Sequence, residues 1–117
     1  MNVLQIAEAF SGHRFTETYD HLAANVRWVL PGQAPIDGRD AVVAACNSSA
    51  TEMAQLASVD FSRFVSVASA QVAAVDAVGR YVSADGSVSV VSSADIYELD
   101  SDGLVSTITS YAVELDA

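Results

Sequence analysis

The chain contains no lysine: its basic side chains are five arginines and two histidines, set against 15 acidic residues. The resulting net charge of −10 at pH 7 repels a polyanionic backbone instead of releasing its counterions, which excludes nucleic acid and anionic membrane surfaces as partners. A single cysteine, Cys46, has no intramolecular disulfide to make, so nothing asks for an oxidising compartment. No stretch approaches the roughly 18 apolar residues of a membrane span. The opening MNVLQIAEAFSGHR lacks the basic start and long apolar run of a secretory signal, and the expectation is a soluble cytoplasmic protein. His13, in the SGHR turn, is expected to be solvated, and His21 to be packed or at the surface. With no cluster of His and Cys at ligand spacing, no metal is expected. Gly32 and Gly38 bracket a corner and do not form a phosphate loop, and no cofactor is called for.

What the chain has is apolar content: 51% of 117 residues, enough for one core and one domain spanning 1–117. In NVLQIAEAF the residues Val3, Leu4, Ile6, Ala7 and Phe10 recur at helical spacing before SGH breaks the run. A second short helix covers FTETYDHL. NVRWVL is β-branched and aromatic and too short for a helix before Pro31, so it reads as a strand. Asp37 precedes the longest helix, where its carboxylate would accept from the first-turn N–H groups, and Val42, Cys46, Ala50, Met53 and Leu56 mark one face. Cys46 on that face reads as an inert buried thiol. Four strands follow, near 59–68, 71–83, 88–99 and 104–115, punctuated by SADGS and DSDG. Helices and one strand, then a long helix, then an antiparallel meander make an α+β pattern in which helices cover one face of a curved sheet.

The stretches PIDGRDAV and ADIYELDSDGLV, within this order of elements, resemble the nuclear transport factor 2-like superfamily, and within it the SnoaL-like and ketosteroid isomerase-like small proteins. The resemblance spans nearly the whole chain. It implies a cone-shaped curved antiparallel sheet wrapped on a long helix, of the cystatin-like kind, with an apolar pocket at the open end. It also implies dimer packing through the outer sheet face. Pro31 and Gly32 would end the first strand at the mouth of the cone. Ketosteroid isomerases place a carboxylate base just before that corner, where this chain has Val29 or Leu30, and a tyrosine on the first helix, where it has Ile6. Only their aspartic acid survives, as Asp95, so that isomerase chemistry is not expected. The aspartate–arginine–aspartate arrangement of limonene epoxide hydrolase-like members falls near Asp76, Val78 and Tyr111 and is not reproduced.

A second site can be built from the turn. If Asp85-Gly86 is a two-residue hairpin loop, Ala84 faces Ser87 and, counting back, Asp76 faces Asp95. Their Cβ atoms would then lie about 5 Å apart, and two carboxylates so placed would share a proton, an acid beside a base. Arg80 would share their face, about 13 Å along the strand from Asp76, and could orient a ligand. The expected catalytic pair is therefore Asp95 and Asp76. The expected substrate-binding residues are Arg80, Trp28, Ser93, Tyr97, Ile108 and Ser110. The ligand would be a small, largely apolar molecule with a carbonyl or hydroxyl group, and the chemistry a cofactor-free isomerisation, cyclisation or hydration. The alternative is a noncatalytic ligand-binding or dimeric structural module. The apolar outer face, with Val88, Val90, Ala94, Ile96, Thr109 and Tyr111, predicts a homodimer.

Overall fold

The computed structural model describes residues 1–116. Helix α1 (Val3–Ser11) begins at Asn2, whose side chain accepts from the Gln5 N–H while the Gln5 side chain accepts from the Asn2 N–H. This reciprocal cap satisfies two of the helix's orphan donors. A 3₁₀ segment (Phe15–His21) leads into β1 (Leu22–Val29). The two-residue strand β2 (Ile36–Asp37) precedes α2 (Arg39–Met53). The meander is β3 (Ser58–Ala68), β4 (Val72–Val82), β5 (Val88–Leu99) and β6 (Val105–Leu115).

The six strands form one sheet in the order β2-β1-β6-β5-β4-β3. All neighbours are antiparallel except β1 and β6, which run parallel. Register shifts interrupt β1, β3 and the β5–β6 pair, and irregularities of this kind bend a strand and tighten its twist. The shift in β3 brings Phe61 opposite Gly79 and Phe64 opposite Ala77. Two phenylalanines three residues apart thereby face the same side, with ring centroids 5.3 Å apart.

The core lies on the concave face. Val3, Ile6, Ala7 and Phe10 of α1 pack with Ala73, Val75 and Ala77 of β4 and with Tyr97, Val105 and Ile108 of β5 and β6. The inner face of β4 is made of small residues, which lets the helix approach closely. Val42 and Cys46 of α2 join the same cluster beside Val26 of β1. Burial pushes the Cys46 thiol up to about 12, so it is protonated and inert.

Two local expectations are corrected. Asp37 does not cap α2: the capping position is Gly38, at φ 92°, and the Asp37 carboxylate instead receives two bonds from Arg27, at 2.7 and 3.2 Å. The β4–β5 hairpin has three loop residues, Ala84, Asp85 and Gly86. Ser83 N–H donates to the Ser87 carbonyl at 2.9 Å, Gly86 N–H donates to the Ser83 carbonyl at 2.9 Å, and Gly86 takes the left-handed φ of 89°. Asp85 fixes this loop by accepting from the Ser87 N–H and hydroxyl. The extra residue moves the register by one, so Asp76 pairs with Ala94 and Asp95 with Val75.

Candidate functional site

A one-residue shift reverses which face each side chain occupies. Val75, Ala77, Gly79 and Tyr81 therefore look inward, while Asp76 and Arg80 are exposed on the outer face. Asp76 receives a 2.8 Å bond from Arg63 there. The expected Asp76–Asp95 pair does not form, and Arg80 does not reach the pocket.

The inner face does carry a cavity of about 340 Å³, at the end of the cone where the C-terminus of α1, the 3₁₀ segment and the last turn of α2 meet the sheet. Its walls are largely aromatic: Phe10 and Phe15 from the helical side, Trp28 from β1, Phe61 from β3 and Tyr81 from β4. Leu30, Met53, Val91 and Ala112 complete the apolar lining, and Glu52 stands at the rim. Trp28 is fixed edge-on to Phe10, with centroids 5.1 Å apart, and its Nε1 donates to Ser110 Oγ at 2.9 Å. Ser93 and Ser110 both line the cavity, as their parity in β5 and β6 requires. Tyr97 and Ile108 face the same side but are fully buried in the core, not on the cavity surface.

Asp95 also lines the cavity. Its Oδ2 accepts a 2.8 Å bond from the Ser11 hydroxyl, and no protein donor bonds Oδ1 among the described residues. Ser11 Oγ is also 2.6 Å from Tyr97 Oη. Since Ser11 has one hydroxyl proton and gives it to Asp95, Tyr97 must donate to Ser11. The result is a directed chain, Tyr97 to Ser11 to Asp95. Burial first, and the negative charge of Asp95 second, hold the Tyr97 phenol well above its ordinary range, so it remains a donor.

The sequence reading missed His13 and Tyr81. Helix α1 ends in a Schellman motif: Arg14 N–H donates to the Ala9 carbonyl and His13 N–H to the Phe10 carbonyl. The left-handed position that usually takes glycine is occupied by His13, at φ 65°. A non-glycine residue held there stores strain, and such outliers concentrate at ligand sites. The turn points the imidazole into the cavity, where it stacks on Phe61 and its Nε2 lies 2.9 Å from Tyr81 Oη. Burial lowers the His13 pKa, partly opposed by the Asp95 charge, which keeps the ring neutral near pH 7. Tyr81 is raised by burial and by Asp95, so its phenol stays protonated. Gly79 makes room for it: a Cβ at that position would sit 2.8 Å from Tyr81 Cε2 and 2.9 Å from its hydroxyl. A glycine inside a strand, two residues before an aromatic, was the available signal for this close approach. Among the described residues no group of three His, Cys, Asp or Glu side chains could hold a metal.

No family model and no curated protein sequence matches the chain. Solved structures do. A nuclear transport factor 2-like protein of unknown function from Cytophaga hutchinsonii superposes with a TM-score of 0.78 at 27% identity, over 93% of this chain and 94% of that one. The epoxide hydrolase/cyclase-like enzyme SalBIII, which has a role in pyran ring formation in the polyether salinomycin, superposes at 0.67 and 13% identity, over 95% and 87% of the two chains. Rv0760c from Mycobacterium tuberculosis, in complex with estradiol-17β-hemisuccinate, superposes at 0.63 and 19% identity, over 91% and 86%. The chain has the α+β, cystatin-like fold of the nuclear transport factor 2-like and SnoaL-like proteins.

Proposed function

We propose that the cavity binds a small, largely apolar molecule carrying a carbonyl or hydroxyl group, and that Asp95 exchanges a proton with it. The observation that carries this reading is the open cavity reaching Asp95, whose Oδ1 has no protein donor while Oδ2 is held in place by Ser11. In the tautomer that carries the proton on Nε2, His13 donates to Tyr81 Oη and the phenol proton is left for a ligand oxygen. Asp95 then takes a proton from the ligand and returns it at another atom, so the reaction is proton-neutral and belongs with isomerisation, cyclisation or hydration. That one fold neighbour is a cyclase-like enzyme and another is in complex with a steroid derivative is in keeping with a small-molecule role for this fold. Asp76 and Arg80, on the outer face, have no part in it.

The Ser11 bond to Asp95 also suits a second reading, a noncatalytic binding module in which the carboxylate is a structural acceptor. Titration calorimetry with 1-adamantyl methyl ketone, an apolar cage bearing one carbonyl, tests the shared part of both. Wild type should bind, and Ala112→Trp, which fills the cavity from its exposed wall, should bind at least tenfold more weakly. Absence of binding to wild type removes the ligand-site reading.

The reading includes a homodimer packed through the outer face of β3–β6. Val67, Val113 and Tyr111 are 64%, 60% and 51% exposed there, with Val65, Val72 and Leu115 on the same face. Four strands of 11 or 12 residues, spaced about 4.8 Å apart, form a surface of roughly 35 Å by 19 Å, about 670 Å², near the roughly 800 Å² per partner of a standard interface. No helix among the described residues is long and apolar enough to cross a membrane. A small-molecule partner, and no nucleic acid, fit the net charge of −10, and the cytoplasm is the location that goes with this reading.

A further inference from the structure

Resting on the reading of the cavity as a site for an apolar carbonyl or hydroxyl compound, we infer that its ligand also carries a protonated amine and that the cavity discriminates against carboxylates. Each acidic side chain on the wall has a defined place: Asp95 lines the concave sheet face and Glu52 stands at the rim, on the last turn of α2. No arginine lines the cavity, and the chain has no lysine. Four of the five arginines pair with carboxylates elsewhere: Arg14 with Glu17, Arg27 with Asp37, Arg39 with Asp20 and Arg63 with Asp76. Arg80 lies on the opposite face of the sheet. The one basic ring in the cavity, His13, is held neutral by burial.

An anionic ligand would thus be drawn out of water beside Asp95 with no countercharge, a costly arrangement. A cationic ligand supplies the countercharge that Asp95 lacks. The walls favour the same sign, because Phe10, Phe15, Trp28, Phe61 and Tyr81 supply aromatic rings whose faces attract cations. The net charge of −10 adds a long-range field that concentrates cations at the mouth and repels anions. Pocket charge, wall chemistry and overall field all select a positive ligand.

Three probes with one skeleton separate charge from shape: 1-adamantanemethylamine, 1-adamantanemethanol and 1-adamantanecarboxylate, at pH 7. Trp28 is the sole tryptophan and lines the cavity, so its fluorescence reports occupancy, with calorimetry as a second readout. The amine should bind at least tenfold tighter than the carboxylate, with the alcohol between them. Glu52→Gln, an exposed change that leaves the fold intact, and Asp95→Asn should each narrow that ratio severalfold. An alcohol or carboxylate that binds as tightly as the amine overturns the inference while leaving the ligand-site reading standing. A ratio unchanged in both variants also overturns it, because the cavity's carboxylates would then have no part in the preference. If none of the three binds, the ligand-site reading fails and takes the inference with it.

Discussion

The Ser11 hydroxyl donates to Asp95 Oδ2 at 2.8 Å, tying the last residue of α1 to the middle of β5. Ser11 Oγ also accepts from the fully buried Tyr97, so one hydroxyl satisfies a core donor and positions the cavity's carboxylate. Ser11→Ala strands the Tyr97 phenol without an acceptor and should cost about 1–3 kcal/mol in urea unfolding. Adding Tyr97→Phe to that variant should recover part of the loss, because the orphaned donor is then gone. Additive costs in the double variant would mean that the chain does not exist.

His13 gives the fold a defined pH dependence. Its pKa in the folded state is lowered from 6.5, chiefly by burial. Above 6.5 the ring is neutral in both states and contributes no pH dependence. As pH falls through 6.5 toward the lower folded value, the unfolded chain takes up a proton that the folded one resists, and stability is lost. His13→Asn keeps a residue type that tolerates the left-handed backbone and removes the titration. The stability difference between wild type and this variant should be flat above pH 7 and slope downward below about 6.5. A difference that stays flat to pH 5 contradicts the buried imidazole.

Gly79→Ala should act on the site more than on the fold. The added Cβ meets only the end of the Tyr81 side chain, which can swing away at modest cost. In doing so it breaks the 2.9 Å contact with His13. The variant should lose less than about 1.5 kcal/mol of stability while binding of 1-adamantyl methyl ketone falls by about tenfold, the worth of one hydrogen bond. Unchanged ketone affinity would show that Tyr81 does not contact the ligand.

Much of the architecture was legible in residue order. The helical spacing of α1, the PIDGRDAV corner and the four Val-rich strands led to the observed fold and to Asp95, Trp28, Ser93 and Ser110 on the inner face. The error lay in one loop residue. SADGS reads as a two-residue Asp-Gly turn or as a three-residue loop with Gly86 left-handed, and the choice decides which face every β4 side chain occupies. The strand itself held the correcting signal. In VAAVDAVGRYV, Asp76 and Arg80 share a parity while Ala73, Val75, Ala77 and Gly79 share the other, the pattern of a charged solvent face and a small-residue core face. His13 was illegible for a different reason: a left-handed histidine beside Gly12 looks like a solvated turn until the tertiary fold closes Phe61 and Tyr81 over it.

Dimerisation through the outer face is open to direct measurement. Sedimentation at micromolar concentration should give twice the 12.2 kDa chain mass, and Val113→Glu, which puts charge into an exposed apolar position, should give the monomer. A wild-type monomer would refute the interface.

Proton exchange at the methyl group of 1-adamantyl methyl ketone in deuterium oxide, followed by proton NMR, tests the central claim that Asp95 is a base facing a ligand cavity. Wild type should accelerate exchange at least tenfold over buffer, Asp95→Asn should return it to the buffer rate, and Asp76→Asn, on the far face of the sheet, should match wild type. Binding of the ketone without accelerated exchange, or exchange that survives Asp95→Asn, would contradict the account.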